Sequence, residues 1–213
     1  MAAHETRMLL LGAVALFEPV NGYQIRRELV SWEVDRWAHV NPGSIYSGLA
    51  TLTRLGQLER TDLVDGTREV AVYELTDAGR EELRRLMQQA LERVDLYDAV
   101  AFHAAFGLLP LMSRAEAVGH LRKRLEGLGE AVRQLTDVGA APSPHAPPHA
   151  MAGLRLQRER AVVEQAWLGE VLADVERGAL DFRGEPWTWE APADDPGWQM
   201  HLDREKYRAL LGR

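Results

Sequence analysis

The chain has no cysteine among its 213 residues. That excludes a disulfide framework, cysteine-ligated zinc, an iron–sulfur cluster and a thiol nucleophile. Long apolar runs are also missing: the longest, Met8 to Phe17, falls well short of the roughly 20 residues that span a bilayer. It has no positively charged lead-in and no convincing cleavage site, so no signal peptide is read and a cytoplasmic location without membrane association is expected. Lysine is nearly absent, with only Lys123 and Lys206 among 25 basic residues. An excess of positive charge is lacking too, the 32 acidic residues leaving a net charge of −7. The first eighty residues hold 8 arginines against 11 carboxylates. Any nucleic-acid binding must therefore come from a few placed arginines rather than from a bulk field. Nucleophile elbows, phosphate-cradling glycine loops and paired carboxylates at catalytic spacing do not occur, so no enzyme, cofactor or catalytic residue is expected.

What is present reads as mainly α. Thr6 can cap a helix to Phe17, apolar on nearly every side, and Glu18-Pro19 ends it. Asn21 caps a second helix, with Gln24 three residues on as a capping box and Val20/Ile25 as a hydrophobic staple. Trp32 and Trp37 bracket the turn that follows and are expected to pack there. Asn41-Pro42 starts a third helix running to about Leu55, with Gly56 as its stop. Leu58 to Val64 and Arg68 to Leu75 are β-leaning runs around Asp65-Gly66-Thr67, a hairpin pattern. Thr76-Asp77 caps a fourth, long helix. Three helices, a two-stranded ribbon and another helix are the order of a winged helix-turn-helix.

The remainder reads as all-helical. Leu96 to Leu109 is apolar up to Pro110. Ser113 and Glu116 form a capping box ahead of Val118, Leu121, Leu125, Leu128, Val132 and Leu135, whose 3-4 spacing is the narrow stripe of a coiled-coil-like contact. Residues 138–153, with four prolines and no charged side chain, predict an irregular linker. A helix over 154–177 carries Leu168 and Leu172 on one stripe. After it comes an acidic, proline-broken segment with Trp187, Trp189 and Trp198, and a short helix over 203–211. The domains expected are 1–92, 93–180 and a C-terminal extension over 181–213.

The third helix is the informative one. Ile45, Leu49, Leu52 and Leu55 make its buried side, and Ser44, Ser47, Thr51 and Arg54 its opposite side, with Tyr46 beside them. Small hydroxyls and one arginine, with Gly48 thinning the surface, suit a helix that enters a major groove, where arginine reads guanine in bidentate fashion. The amides of Gly43 and Ser44, behind Asn41, could hold a phosphate oxygen. The alternative is an amphipathic helix whose polar side meets only water. The hairpin, with Arg60, Gly66, Thr67 and Arg68, has the shape of a wing that can reach phosphates, or else it seals a sheet edge. His145 and His149 read as a solvated loop rather than a metal site, and His103 as a packed core histidine. Phe102, Phe106 and Trp167 are either core or the lining of an effector pocket.

Several of these elements agree in order and distance with one known family. Asn21-Gly22-Tyr23-Gln24-Ile25, Pro42-Gly43-Ser44-Ile45-Tyr46-Ser47-Gly48-Leu49, Leu52 with Leu55-Gly56-Gln57-Leu58-Glu59, and Tyr73-Glu74-Leu75-Thr76-Asp77-Ala78-Gly79-Arg80 resemble the PadR family of bacterial transcriptional regulators over Met8 to about Leu91. The later helices resemble, more loosely, the helical C-terminal domain that many members carry. The pattern departs at Ser47, where proline is usual, and in a wing poorer in basic residues. The resemblance implies a homodimer on double-stranded DNA at a palindromic operator, usually a repressor, with recognition helices about 34 Å apart. It implies dimerisation through the C-terminal helices (Val118, Leu121, Leu125, Leu128, Leu168, Leu172) with help from the first helix, a phosphate contact from Tyr23, groove contacts from Ser44, Tyr46 and Ser47, and a basic wing residue at Arg68. It also implies an aromatic or amphipathic small-molecule effector. A second reading is a winged-helix module for protein interaction or ligand sequestration that binds no DNA.

Overall fold

Helix α1 (His4–Phe17) is the centre of the first unit, because its residues Met8 to Val14 are all buried within this one chain. The computed structural model describes residues 4–38, 40–141, 144–195 and 197–213. They divide into two compact units, one built from the described part of 1–87 together with 187–213, the other from 88–186.

In the first unit β1 (Val20–Asn21) leads into α2 (Gly22–Ser31), and the Asn21/Gln24 capping box forms as expected. A short helix α3 (Val34–Trp37) follows that sequence periodicity did not reveal. It is launched by Glu33 in the left-handed region, φ 54°, an uncommon conformation for a residue with a side chain. Trp37 donates its indole N–H to the Trp32 carbonyl at 2.8 Å, which ties its ring to this turn, while the Trp32 ring meets Phe17. The third predicted helix divides in two, a 3-10 turn over Pro42–Ser44 and then α4 (Ile45–Arg54). β2 (Leu58–Asp65) and β3 (Arg68–Leu75) form the hairpin, with Asp65 opposite Arg68. Gly66, the first of the two loop residues, has φ 63°, as a tight two-residue turn requires. β1 adds to the other edge of β3, giving an antiparallel sheet in the order β1-β3-β2.

α5 (Asp77–Glu92) starts where Thr76 Oγ1 accepts from the Gly79 amide. Gly79 is obligatory there: a Cβ on it would lie 1.9 Å from the Gln57 carbonyl oxygen. Leu83, Leu86, Met87 and Leu91 form the buried stripe of this helix.

The second unit is all-helical: α6 (Val100–Gly107), a 3-10 turn over Leu109–Leu111, α7 (Arg114–Ala140) and α8 (Pro148–Glu176). α7 and α8 pack as an antiparallel pair, with Arg122 bonded to Glu176 near one end and Arg158 to Thr136 near the other. Most of the expected irregular stretch 138–153 is therefore helix. α7 continues to Ala140 because 138–140 contain no proline, and α8 starts early because Pro148 sits at its first position, where its missing N–H costs nothing. Residues 142–143 of that stretch lie outside the described residues. The pairing also accounts for the leucine stripe. Leu121, Leu128 and Leu168 are fully buried and Leu172 nearly so, covered by the chain's own helices, whereas Val118 and Leu125 are half-buried. A 3-4 spacing says that a helix has a narrow partner face. It does not say whose helix meets it.

The terminal helix also begins earlier than its polarity suggests. α9 runs Gly197–Leu210, and the Asp195 carboxylate accepts from the Gly197 amide at 2.6 Å.

Candidate nucleic-acid interface

The two sides of α4 are decided by its neighbours. Ile45, Leu49 and Leu52 face the core, each no more than 3% exposed. Leu55, expected with them, is 52% exposed, because it is the C-cap and the chain turns away at Gly56. Gly48 is buried as well, not on the outer surface. A Cβ there would come within 2.5 Å of Leu10 Cδ1, so its role is to let α1 approach α4.

The outer side carries Ser44, Tyr46, Ser47 and Arg54, all exposed, and Thr51, half-exposed. Their hydroxyls are not idle. Ser44 Oγ donates to the Asn41 carbonyl, Ser47 Oγ to that of Ser44 and Thr51 Oγ1 to that of Ser47, at 2.7–2.8 Å. What these groups present outward is acceptor lone pairs, suited to base amino groups; donating to a phosphate requires the hydroxyl to rotate away from the helix. The amides read as a phosphate cradle are also engaged. The Gly43 amide donates to Asn41 Oδ1 and the Ser44 amide to the Asn41 carbonyl, both at 2.8 Å. Asn41 thus caps its own turn, which leaves no anion site there.

Tyr23, on the first turn of α2, is 63% exposed and Tyr46 49%. The Tyr46 ring lies against Gly22, where a Cβ would approach Cε1 to 3.0 Å. The start of α2 and the start of α4 are therefore in contact. In the wing, Arg60 is held by Asp62 at 2.7 Å. Gly66, Thr67 and Arg68 are exposed. Among the described residues Arg54 and Arg68 have no ion pair, and both are open to a polyanion.

The second unit holds an open groove of about 650 Å³ whose lining includes Phe102, His103, Phe106, Val163 and Trp167. The aromatic trio expected there does come together. Trp167 stands edge-on to Phe102 at 6.1 Å and tilted to Phe106 at 5.2 Å. His103 is exposed on the lining rather than packed in the core, because it shares a groove-facing helical stripe with Ala99, Phe102 and Phe106 at i, i+3, i+4, i+7 spacing. Arg124 was missed by sequence reasoning. Its side chain is 1% exposed, bonds Glu164 through Nε at 2.7 Å and the Arg93 carbonyl through Nη1, and lies 3.8 Å over the Phe102 ring. The one available signal was its position, three residues after Leu121 and four before Leu128, on the side of α7 that is buried.

Residues 10–85 match the model of the Transcriptional regulator PadR-like family. The N-terminal unit carries a PadR-like domain. That winged helix-turn-helix and the all-helical region after it are the architecture expected from the sequence. Solved structures similar to this chain include Bacillus subtilis PadR in complex with operator DNA, at 24% identity over 78% of this chain and 98% of that one, TM-score 0.33. They also include the PadR-like transcriptional regulator BC1756 from Bacillus cereus, at 19% over 79% and 94%, TM-score 0.33. The match to smu.1604c of Streptococcus mutans UA159 is at 17% over 78% and 98%, TM-score 0.35. At such scores the whole-chain likeness carries no weight, and the match over the PadR-like domain is the finding that counts. Among curated protein sequences none matches the chain. No helix among the described residues is long and apolar enough to cross a membrane.

Proposed function

We propose that this chain is a homodimeric, DNA-binding transcriptional repressor of the PadR type, which places α4 in the major groove of a palindromic operator. The observation that carries the reading is the outward row of Ser44, Ser47 and Arg54 beside Tyr46, on a helix whose other side is sealed against α1. Arg54 supplies base readout, Ser44 and Ser47 fit the groove, and Tyr23, Thr67 and Arg68 meet the backbone. With bulk charge against it, binding relies on few phosphate contacts. About six per dimer give a slope of log K against log[salt] near −5.

Dimerisation belongs to the helical unit. Leu156, Val163 and Trp167 recur at i, i+7 and i+11 on α8 and are 39–70% exposed, which leaves a stripe available to a second copy after Leu121, Leu128 and Leu168 are used within the chain. The groove that this stripe lines suits a flat aromatic or amphipathic effector, whose entry would change the spacing of the two DNA-reading helices and release the operator.

A gel shift with DNA from upstream of the chain's own reading frame, repeated across salt concentrations, tests the core of this reading. A specific shift with a slope near −5 supports it. A stable dimer that shifts no DNA at any salt favours instead a protein-interaction module, the reading to which the net negative charge of the first eighty residues leans. For the effector, enhanced fluorescence of anilinonaphthalene sulfonate that is lost in Trp167→Ala supports the groove as its site. An unchanged signal in that variant removes the groove from the proposal.

A further inference from the structure

The C-terminal helix docks on the PadR-like domain through a set of polar bonds that the domain itself leaves open. In the capping box, Asn21 Oδ1 accepts from the Gln24 amide and Gln24 Oε1 from the Asn21 amide. Each side chain then has an NH2 group to place, and both go to α9. Asn21 Nδ2 donates to the Tyr207 hydroxyl at 2.8 Å, and Gln24 Nε2 donates to Asp203 Oδ2 at 2.7 Å. Gln24 and Tyr207 are both buried. Arg204 donates to the carbonyls of Leu16 and Phe17 at the end of α1, where a cation meets the negative end of a helix.

The same C-terminal segment, α9 and the residues just after it, reaches the hairpin near its tip and near its base. Lys206 pairs with Asp65 beside the tip at 2.5 Å, and Arg213 with Glu74 near the base at 2.8 Å. By register, Asp65 and Glu74 lie on one face of the hairpin, with Thr61, Leu63, Val70 and Val72 between them. Charge explains the match. The hairpin carries Glu59, Asp62, Asp65, Glu69 and Glu74 against Arg60 and Arg68 only, whereas residues 197–213 carry four basic and two acidic side chains.

We propose that α9 is a working part of the DNA-contacting module: Lys206 cancels the Asp65 charge beside the wing tip, and the bonds that Asp203 and Tyr207 accept fix the start of α2 on which Tyr23 is carried. Lys206 is a positioning residue, acting through Asp65. The inference rests on the DNA-binding reading above, and it explains how a wing with three more acids than bases comes within reach of phosphate. An uncompensated carboxylate beside Arg68 would repel the backbone that Arg68 attracts.

The test uses the full-length protein with Lys206→Ala, Lys206→Arg, Asp65→Asn and the double variant Lys206→Ala/Asp65→Asn. Two quantities are read: operator affinity, and amide hydrogen exchange of residues 58–75 without DNA. Lys206→Ala is expected to weaken operator binding about tenfold for a dimer with two wings and to speed exchange in the hairpin. Lys206→Arg should behave as wild type, and Asp65→Asn in the Lys206→Ala background should restore affinity to within about twofold. Unchanged affinity in Lys206→Ala overturns the proposal. So does a loss that Asp65→Asn does not rescue, since Lys206 would then touch phosphate itself, and so does tighter binding, which would make α9 an inhibitory clamp. If the wild type shifts no DNA while Lys206→Ala still loosens the hairpin, the DNA reading falls and α9 is left as a structural splint only.

Discussion

The guanidinium carbon of Arg124 lies 3.8 Å from the centre of the Phe102 ring, while the same group is bonded to Glu164. Phe102 and Glu164 both line the groove, and Arg124 behind them stacks on the one and pairs with the other. A charge this deep is tolerated because it is paired, accepted by the Arg93 carbonyl and covered by a π face.

Removing one partner of that stack should be costly. Arg124→Met is expected to lower unfolding free energy by about 3 kcal/mol, the low end for a broken buried pair, because Glu164 keeps some solvent. Arg124→Met/Glu164→Leu should recover most of the loss. Urea denaturation of the two variants checks both, and equal destabilisation in both would show that the pair is not the cause.

Arg54 and Arg68 are expected to fail differently. Arg54→Ala should cost about 1–3 kcal/mol on the specific operator and little on random DNA, the signature of lost base readout. Arg68→Ala should weaken both about equally and reduce the salt slope by about one per lost phosphate contact. Titrations of each variant against operator and scrambled duplex across a salt series separate the two.

Two glycines make opposite predictions from the same substitution. Gly79→Ala drives a methyl into the Gln57 carbonyl, which is backbone and cannot yield, so its cost should reach or pass the top of the roughly 1–3 kcal/mol range for overpacking. Gly48→Ala meets only the end of the Leu10 side chain, and about 1 kcal/mol is expected. Because Gly48 faces the core, Gly48→Ala should leave operator affinity unchanged at temperatures where the protein stays folded. A selective loss of DNA binding would put Gly48 on the outer face after all.

Acid should destabilise the fold through α5. The bond from Arg85 holds the Glu82 carboxyl below its ordinary value of 4.5, with Arg7 adding to it. Burial pushes Glu92 up, but its bonds with Lys123 and His120 outweigh that and leave it lowered. Groups depressed in the folded state contribute stability above the unfolded value, and this is lost as pH falls through the folded one. Melting temperature is therefore expected to fall from about pH 5 downward, and Glu82→Gln/Glu92→Gln to flatten that limb while lowering stability at neutral pH. An unaltered acid limb in the double variant would assign the effect to other carboxylates.

The order of elements in the N-terminal unit was legible because it is written in local chemistry. Asn21 with Gln24, and Asn41 with Gly43 and Ser44, bond within three residues of themselves, and Asp65-Gly66 turns on the positive φ of Gly66, so the chain carries those boundaries wherever it is placed. The outward orientation of Ser44, Ser47 and Arg54 was legible for a related reason: the 3.6-residue period puts them opposite Ile45, Leu49 and Leu52. What periodicity leaves open is the identity of the neighbour. It marked Leu121, Leu128 and Leu168 as a contact stripe without saying that the partner is the same chain's other helix. The small size of Gly48 suggests the outer side, whereas the period, three residues after Ile45, puts it on the buried face where Leu10 approaches.

Tertiary structure alone decided three things: that Arg124 could be buried, since Glu164 and the Phe102 ring come from distant stretches; that His103 lines a groove; and that α9 returns to the PadR-like domain. The last turns on donors of Asn21 and Gln24 that find their acceptors some 180 residues away. Short-range hydrogen bonds and helical period are properties of neighbouring residues, and one strand of letters contains them. Which faces meet depends on the free energy of all packings compared, and that comparison exists only in three dimensions.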